Sequence, residues 1–190
     1  MEFVPESEVM NLLAEQGVTP APQEDDRVYL QMADSSDVVR VHLTTAQTEA
    51  EPEAEARVIT VEPDGLAAAV AELIQQLRLN QVLLIPVSKW RHVFDAVAFS
   101  LAENEDWQEF ETTATVELNT RDPLLCEPGD YQTIIALMRA LLTDADRAEQ
   151  GLMLATTAAP LLVEIVPEGA IRVSFGNQVL ADEVADAFAR

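Results

Sequence analysis

Hydrophobic positions recur along the chain with two different periods, and the change of period marks the elements. Over Ser7 to Gln16, Val9, Met10, Leu12 and Leu13 fall on one side of a short helix, which Gly17 ends and Pro20 and Pro22 keep from resuming. Alternation then takes over. Val28, Leu30 and Met32 face one way, and Val39, Val41 and Leu43 repeat the pattern. Asp34-Ser35-Ser36-Asp37 between them has turn chemistry, so a hairpin is predicted. Arg57 to Val61 reads as a strand. Asp64 is placed to cap a helix carrying Leu66, Val70, Leu73, Ile74 and Leu77 at helical spacing.

The apolar run from Gln81 to Val87 predicts a strand buried on both faces. Ser88 then caps a helix with Trp90, Val93, Phe94, Val97 and Leu101 on one side. Thr113 to Leu118 reads as a strand, Asn119 to Gly129 as a loop, and Asp130 as the cap of the longest helix, with core stripe Ile134, Ile135, Met138, Leu141 and Leu142. Leu152 to Thr156 is a strand. Leu161 to Val166 and Ala170 to Phe175 form a hairpin through Pro167-Glu168-Gly169, which sets Glu164 opposite Arg172. Asn177 caps a last helix with Leu180, Val184 and Phe188.

The predicted order is α-βββ-α, β-α-β, α-βββ-α. It calls for an α+β fold with a largely antiparallel or mixed sheet and helices on its faces. Residues 44–56, TTAQTEAEPEAEA, hold nothing apolar larger than Ala, and Glu49, Glu51, Glu53 and Glu55 repel one another. This segment is expected to be a flexible acidic loop at about 44–56 inside one domain spanning 1–190, because the stretch before it is too short to bury a core alone.

Charge changes the picture most. With 34 Asp+Glu against 11 Lys+Arg the formal charge is −23. Phosphate backbones and anionic membrane surfaces repel such a chain, so neither nucleic acid nor membrane is expected as a direct partner, whereas a basic protein is attracted. The hydrophobic share of 48% argues against disorder. The single cysteine, Cys126, excludes an internal disulfide and the Cys-rich zinc patterns, and suits a reducing compartment. No basic and apolar leader opens the chain, and no apolar run nears the roughly 20 residues of a membrane helix. The expectation is a soluble cytoplasmic protein. Intracellular salt adaptation is a separate account of the same charge, under which stability rises with salt.

Specific motifs are absent: there is no phosphate loop, G-x-G-x-x-G, G-x-S-x-G or H-E-x-x-H, and no calcium-hand spacing. No cofactor and no metal site is expected. One local cluster has chemistry. Ser88, Lys89, Trp90, Arg91 and His92, with Asp95 a turn later, contain the only lysine and one of two histidines. As a site it would bind an anion on Ser88 and helix N–H groups, with Lys89 and Arg91 adding charge and His92 moving a proton. As structure, Trp90 packs in the core, Arg91 pairs with Asp95 and Lys89 is solvated. The Arg121 to Asp130 loop holds a second candidate, Cys126, a nucleophile if His92 lies near it and otherwise a buried inert thiol. His42 reads as a half-exposed sheet histidine. A metal site joining it to His92 and a carboxylate has no local support.

The element order of the outer blocks, together with the acidity, resembles the small acidic chaperones of bacterial type III secretion. That resemblance implies a chaperone-like, non-enzymatic role. The leading expectation, drawn from the charge of −23 and the absence of catalytic motifs, is a protein-protein interaction module, chaperone-like or regulatory, for a basic partner, with Glu49, Glu51, Glu53 and Glu55 as partner-binding residues. The alternative is a small enzyme or ligand-binding domain for an anionic small molecule, using the Ser88–Asp95 segment and Arg121.

Overall fold

The computed structural model describes residues 1–22, 27–33, 37–46, 48, 55–62, 64–114, 118–167 and 169–182. In chain order its elements are β1 (Glu2–Phe3), α1 (Glu6–Glu15), β2 (Val18–Pro20), β3 (Leu30–Met32), β4 (Val39–Thr44), β5 (Arg57–Thr60), α2 (Gly65–Gln76), β6 (Val82–Pro86), α3 (Trp90–Val97), α4 (Glu105–Ala114), β7 (Leu124–Cys126), α5 (Tyr131–Asp144), β8 (Leu152–Ala155), β9 (Leu161–Val166) and β10 (Ala170–Phe175). A last helix begins at 178.

The fold is α+β, with helices packed around a large mixed sheet. Eight strands run in the order β1-β7-β6-β8-β9-β10-β4-β5. Every pairing is antiparallel except β4 with β5, which is parallel. Alternation along the central strands divides their side chains between two layers. Leu84, Leu154, Val163, Val173 and Leu43 meet α2, α3 and α5 on the first face. Leu83, Ile85, Met153, Ala155 and Leu162 meet Val9 and Leu13 of α1, Val18 of β2, and Leu30 and Met32 of β3 on the second. The strand at 82–86 is buried on both faces for this reason, although both its neighbours are antiparallel.

The C-terminal hairpin has the expected register. Glu164 lies opposite Arg172, and Gly169, at φ 80°, donates its N–H to the Val166 carbonyl at 3.0 Å. Glu168 lies outside the described residues. At the end of β10, Gly176 donates to the Pro160 carbonyl at 2.7 Å, and a Cβ there would run into the Pro160 ring. Asn177 caps the following helix by accepting the Leu180 N–H at 2.8 Å, whereas Val184 and Phe188 lie outside the described residues.

Several expectations are corrected. The hairpin predicted between 27–32 and 39–43 does not form. β3 pairs with β2 in a separate two-stranded sheet, and β4 sits between β10 and β5. The alternation of both strands was real. However, Leu30 and Met32 belong to the second layer and Val41 and Leu43 to the first, so the two strands serve different cores. Of the supposed turn, Asp34, Ser35 and Ser36 lie outside the described residues.

The strand predicted from Thr113 starts inside α4, and 115–117 lie outside the described residues. The α4 helix is set by Asn104, whose Oδ1 accepts the Trp107 N–H at 2.8 Å, and by Trp107 and Phe110, which join Phe94 in an aromatic cluster. The loop predicted from Asn119 to Gly129 contains β7, which pairs with β1 and β6. Asp64 and Asp130 occupy cap positions but make no side-chain bond to their helices, and Lys89 rather than Ser88 stands at the start of α3. Asp130 instead accepts the Glu127 N–H at 2.8 Å and the Met1 ammonium at 3.1 Å.

Candidate functional site

The Ser88–Asp95 segment joins β6 to α3. Ser88 is buried, Lys89, Arg91 and Asp95 are exposed, and His92 is half-buried. An anion at this helix start would need open N–H groups. Here the Trp90 N–H donates to the Thr120 carbonyl at 3.3 Å, the Arg91 N–H to that of Leu118 at 2.7 Å, and the His92 N–H to that of Lys89 at 2.9 Å. The first turn of α3 therefore holds the 118–122 segment. Trp90 completes that attachment, fully buried, with its Nε1–H donating to the Asp122 carbonyl at 2.9 Å and its ring edge-on to Phe3 and Phe94. Arg91 and Asp95 form no ion pair among the described residues. Arg121 is half-buried in the segment that Trp90 holds.

Cys126 lies in β7 with no exposed surface, its Sγ–H directed at the Leu124 carbonyl at 3.6 Å. Burial, reinforced by the Asp130 carboxylate and opposed by the N-terminal amine, pushes its thiol up to about 12. A nucleophilic cysteine needs the reverse, a thiolate favoured near neutral pH. This geometry keeps the thiol protonated, as a packed core cysteine. Among the described residues, no three His, Cys, Asp or Glu side chains gather where they could hold a metal ion.

A polar row unmarked by any sequence motif crosses the second face of the sheet. The register places Val58 of β5, His42 of β4, Arg172 of β10, Glu164 of β9 and Met153 of β8 side by side. Arg172 Nη1 donates to both oxygens of Glu164, at 3.3 and 3.4 Å. The pair is mostly sheltered, with side-chain exposures of 27% and 19%. His42 is not half-exposed as expected but buried, at 1%. The next row carries Arg40, Ser174 and Leu162. β3 overlies this region. Leu30, Gln31, Glu164 and Arg172 line two hollows of about 350 and 240 Å³, the larger bounded also by Tyr29 and Val87, the smaller by Arg40 and Ser174. The one signal available in sequence was the Glu164–Arg172 opposition. The rest depends on β4 lying next to β10, which no local pattern states.

Among the described residues, the edge strand beyond this row is β5. The Val61 N–H donates inward, to the Thr44 carbonyl at 2.8 Å. Strand geometry alternates, so the N–H and C=O groups of Val58 and Thr60 point outward. Val58 is 49% exposed. Glu55, Glu62 and Asp64 are exposed at the two ends of β5, against one exposed guanidinium, Arg57. Glu49, Glu51 and Glu53 lie outside the described residues. No described helix is long and apolar enough to cross a membrane. No protein-family model, curated protein or solved structure matches the chain.

Proposed function

We propose that this protein is a cytoplasmic interaction module, chaperone-like or regulatory, that takes an extended basic segment of a partner protein onto β5. The observation that supports the reading is the free edge itself. The outward backbone groups of Val58 and Thr60 carry no partner among the described residues, and carboxylates frame them. An open strand edge is a template for another strand, and main-chain bonds supply affinity there. The chain's charge of −23 attracts a basic partner and repels nucleic acid, which steers association and makes it salt-dependent. In the cytoplasm the buried thiol of Cys126 stays reduced.

The test is a pull-down from source-cell lysate with tagged wild type and with Val58→Pro. Proline removes an outward donor without touching the bonds to β4. A basic protein retained at low salt, released at high salt and lost with Val58→Pro is the expected result. Retention by the variant, retention indifferent to salt, or an empty eluate from wild type contradicts the reading. Circular dichroism and the melting temperature of the variant establish that the loss is local.

A further inference from the structure

We propose that a hollow between α4 and the start of α5 binds a primary ammonium group carried on a short alkyl chain. The hollow lies beside β1, at the opposite end of the sheet from β5, and does not depend on the reading given for that edge. It holds about 350 Å³. Asp106, Glu109 and Phe110 of α4 line it together with Met1, Asp130 and Thr133. Thr133 is the first observation that points to a ligand. The residue is 5% exposed, yet its hydroxyl makes no hydrogen bond among the described residues. Thr143 of the same helix donates to the Arg139 carbonyl four residues back, at 2.9 Å, and Thr133 makes no such bond to Gly129. A buried hydroxyl without a partner is an exception among folded chains, and this one borders a hollow that can supply the missing group.

Charge decides what that group is. Three carboxylates, of Asp106, Glu109 and Asp130, line the hollow against one cation, the Met1 ammonium, which donates to Asp130 at 3.1 Å. Outside the described residues the chain holds a single cation, Arg190, and one more positive charge would still leave this lining negative. The Asp106 carboxylate makes no hydrogen bond or ion pair among the described residues. An anion is therefore repelled and a cation attracted. A divalent metal needs about six converging oxygen ligands. No three acidic or metal-binding side chains converge among the described residues. An ammonium asks for less, because its separate N–H donors are satisfied by the Thr133 hydroxyl and by a carboxylate. The Met1 ammonium on Asp130 is the same chemistry in the same hollow. Phe110, half-buried on the wall, offers its ring to the charge or to the alkyl chain.

Butylammonium is the probe. It is titrated at constant ionic strength against isotopically labelled protein, following the backbone amides of Asp106 and Thr133 by NMR. Saturable shifts in the millimolar range are expected. Tetramethylammonium has the charge but no N–H donor, and should bind roughly tenfold more weakly. Thr133→Val keeps the shape of the side chain and removes only the unpartnered hydroxyl. It should fold like wild type and bind butylammonium roughly tenfold more weakly, the scale of a hydrogen bond to a charged group. Asp106→Asn, at an exposed position, should weaken binding roughly threefold. A blocked lysine, Nα-acetyl-lysine methylamide, separates the two carriers of this group. Affinity equal to that of butylammonium assigns the hollow to the lysine tip of a polypeptide, and clearly weaker binding assigns it to a free amine. The proposal is overturned by shifts that never saturate, by tetramethylammonium or magnesium binding as tightly as butylammonium, or by unchanged affinity in either variant. If Thr133→Val does not fold, Asp106→Asn and the tetramethylammonium comparison decide.

Discussion

Trp90→Ala should lower the stability to unfolding by about 3–5 kcal/mol, the range for deleting a fully buried aromatic side chain. Two losses combine. The ring leaves the cluster it shares with Phe3 and Phe94, and the Asp122 carbonyl loses the indole donor at 2.9 Å. The consequences spread because the 118–123 segment holds other parts of the chain. Asp122 Oδ1 accepts the Glu6 N–H at 3.2 Å at the start of α1, and the Pro123 carbonyl accepts the Val4 N–H at 2.9 Å. Trp90→Phe restores most of the packing but not the donor, so it should cost only about 1–2 kcal/mol. Urea unfolding of the three proteins measures both steps. An alanine variant within about 1 kcal/mol of wild type would show that Trp90 does not anchor this region.

The second large effect is alkaline. Cys126 is held protonated to about 12, first by burial and then by Asp130, against an ordinary value of 9.0. Tyr131 beside it is also raised, by burial, by Cys126 and by Asp130, and its hydroxyl donates to the Leu79 carbonyl at 2.7 Å. In both cases the folded state keeps a proton that the unfolded chain releases sooner. The stabilisation is complete below about pH 9 and declines as pH rises from there towards 12. For the thiol alone the decline amounts to roughly 2 kcal/mol by pH 10.5. Cys126→Ala carries a constant cavity penalty but no such slope. The stability difference between wild type and variant should therefore narrow between pH 8 and 10.5. Parallel curves would mean that the thiol ionises normally. They would also reopen the nucleophile reading, which further requires native protein to react with a thiol reagent near neutral pH.

Most of the fold was legible where elements are long or strictly patterned. The stripes of α2 and α5, the doubly buried β6 and the β9–β10 hairpin follow from local periodicity, and the hairpin turn even set Glu164 against Arg172. The short strands were not legible. β1, β2 and β7 have two or three residues each, too few for any period, and exist because neighbouring strands supply their bonds. The α4 helix did leave a signal: Asn104 followed by Glu105 and Asp106 is a helix start, and Trp107 with Phe110 is helical spacing.

At the site, the Ser88–His92 cluster drew notice because it gathers rare residue types. Its chemistry depended on open N–H groups, and long-range partners at Leu118 and Thr120 occupy those of Arg91 and Trp90. The polar row through His42 and Arg172 could not be read locally, since the two residues lie far apart in sequence and meet only in the sheet.

The most direct test of the account is amide hydrogen exchange at Val58 and Thr60, read residue by residue with and without the captured basic partner at low salt. Both amides should exchange fast in the free protein and slow sharply in the complex, with the protection lost at high salt. Unchanged exchange at both, with protection appearing elsewhere on the protein, would contradict β5 as the docking edge.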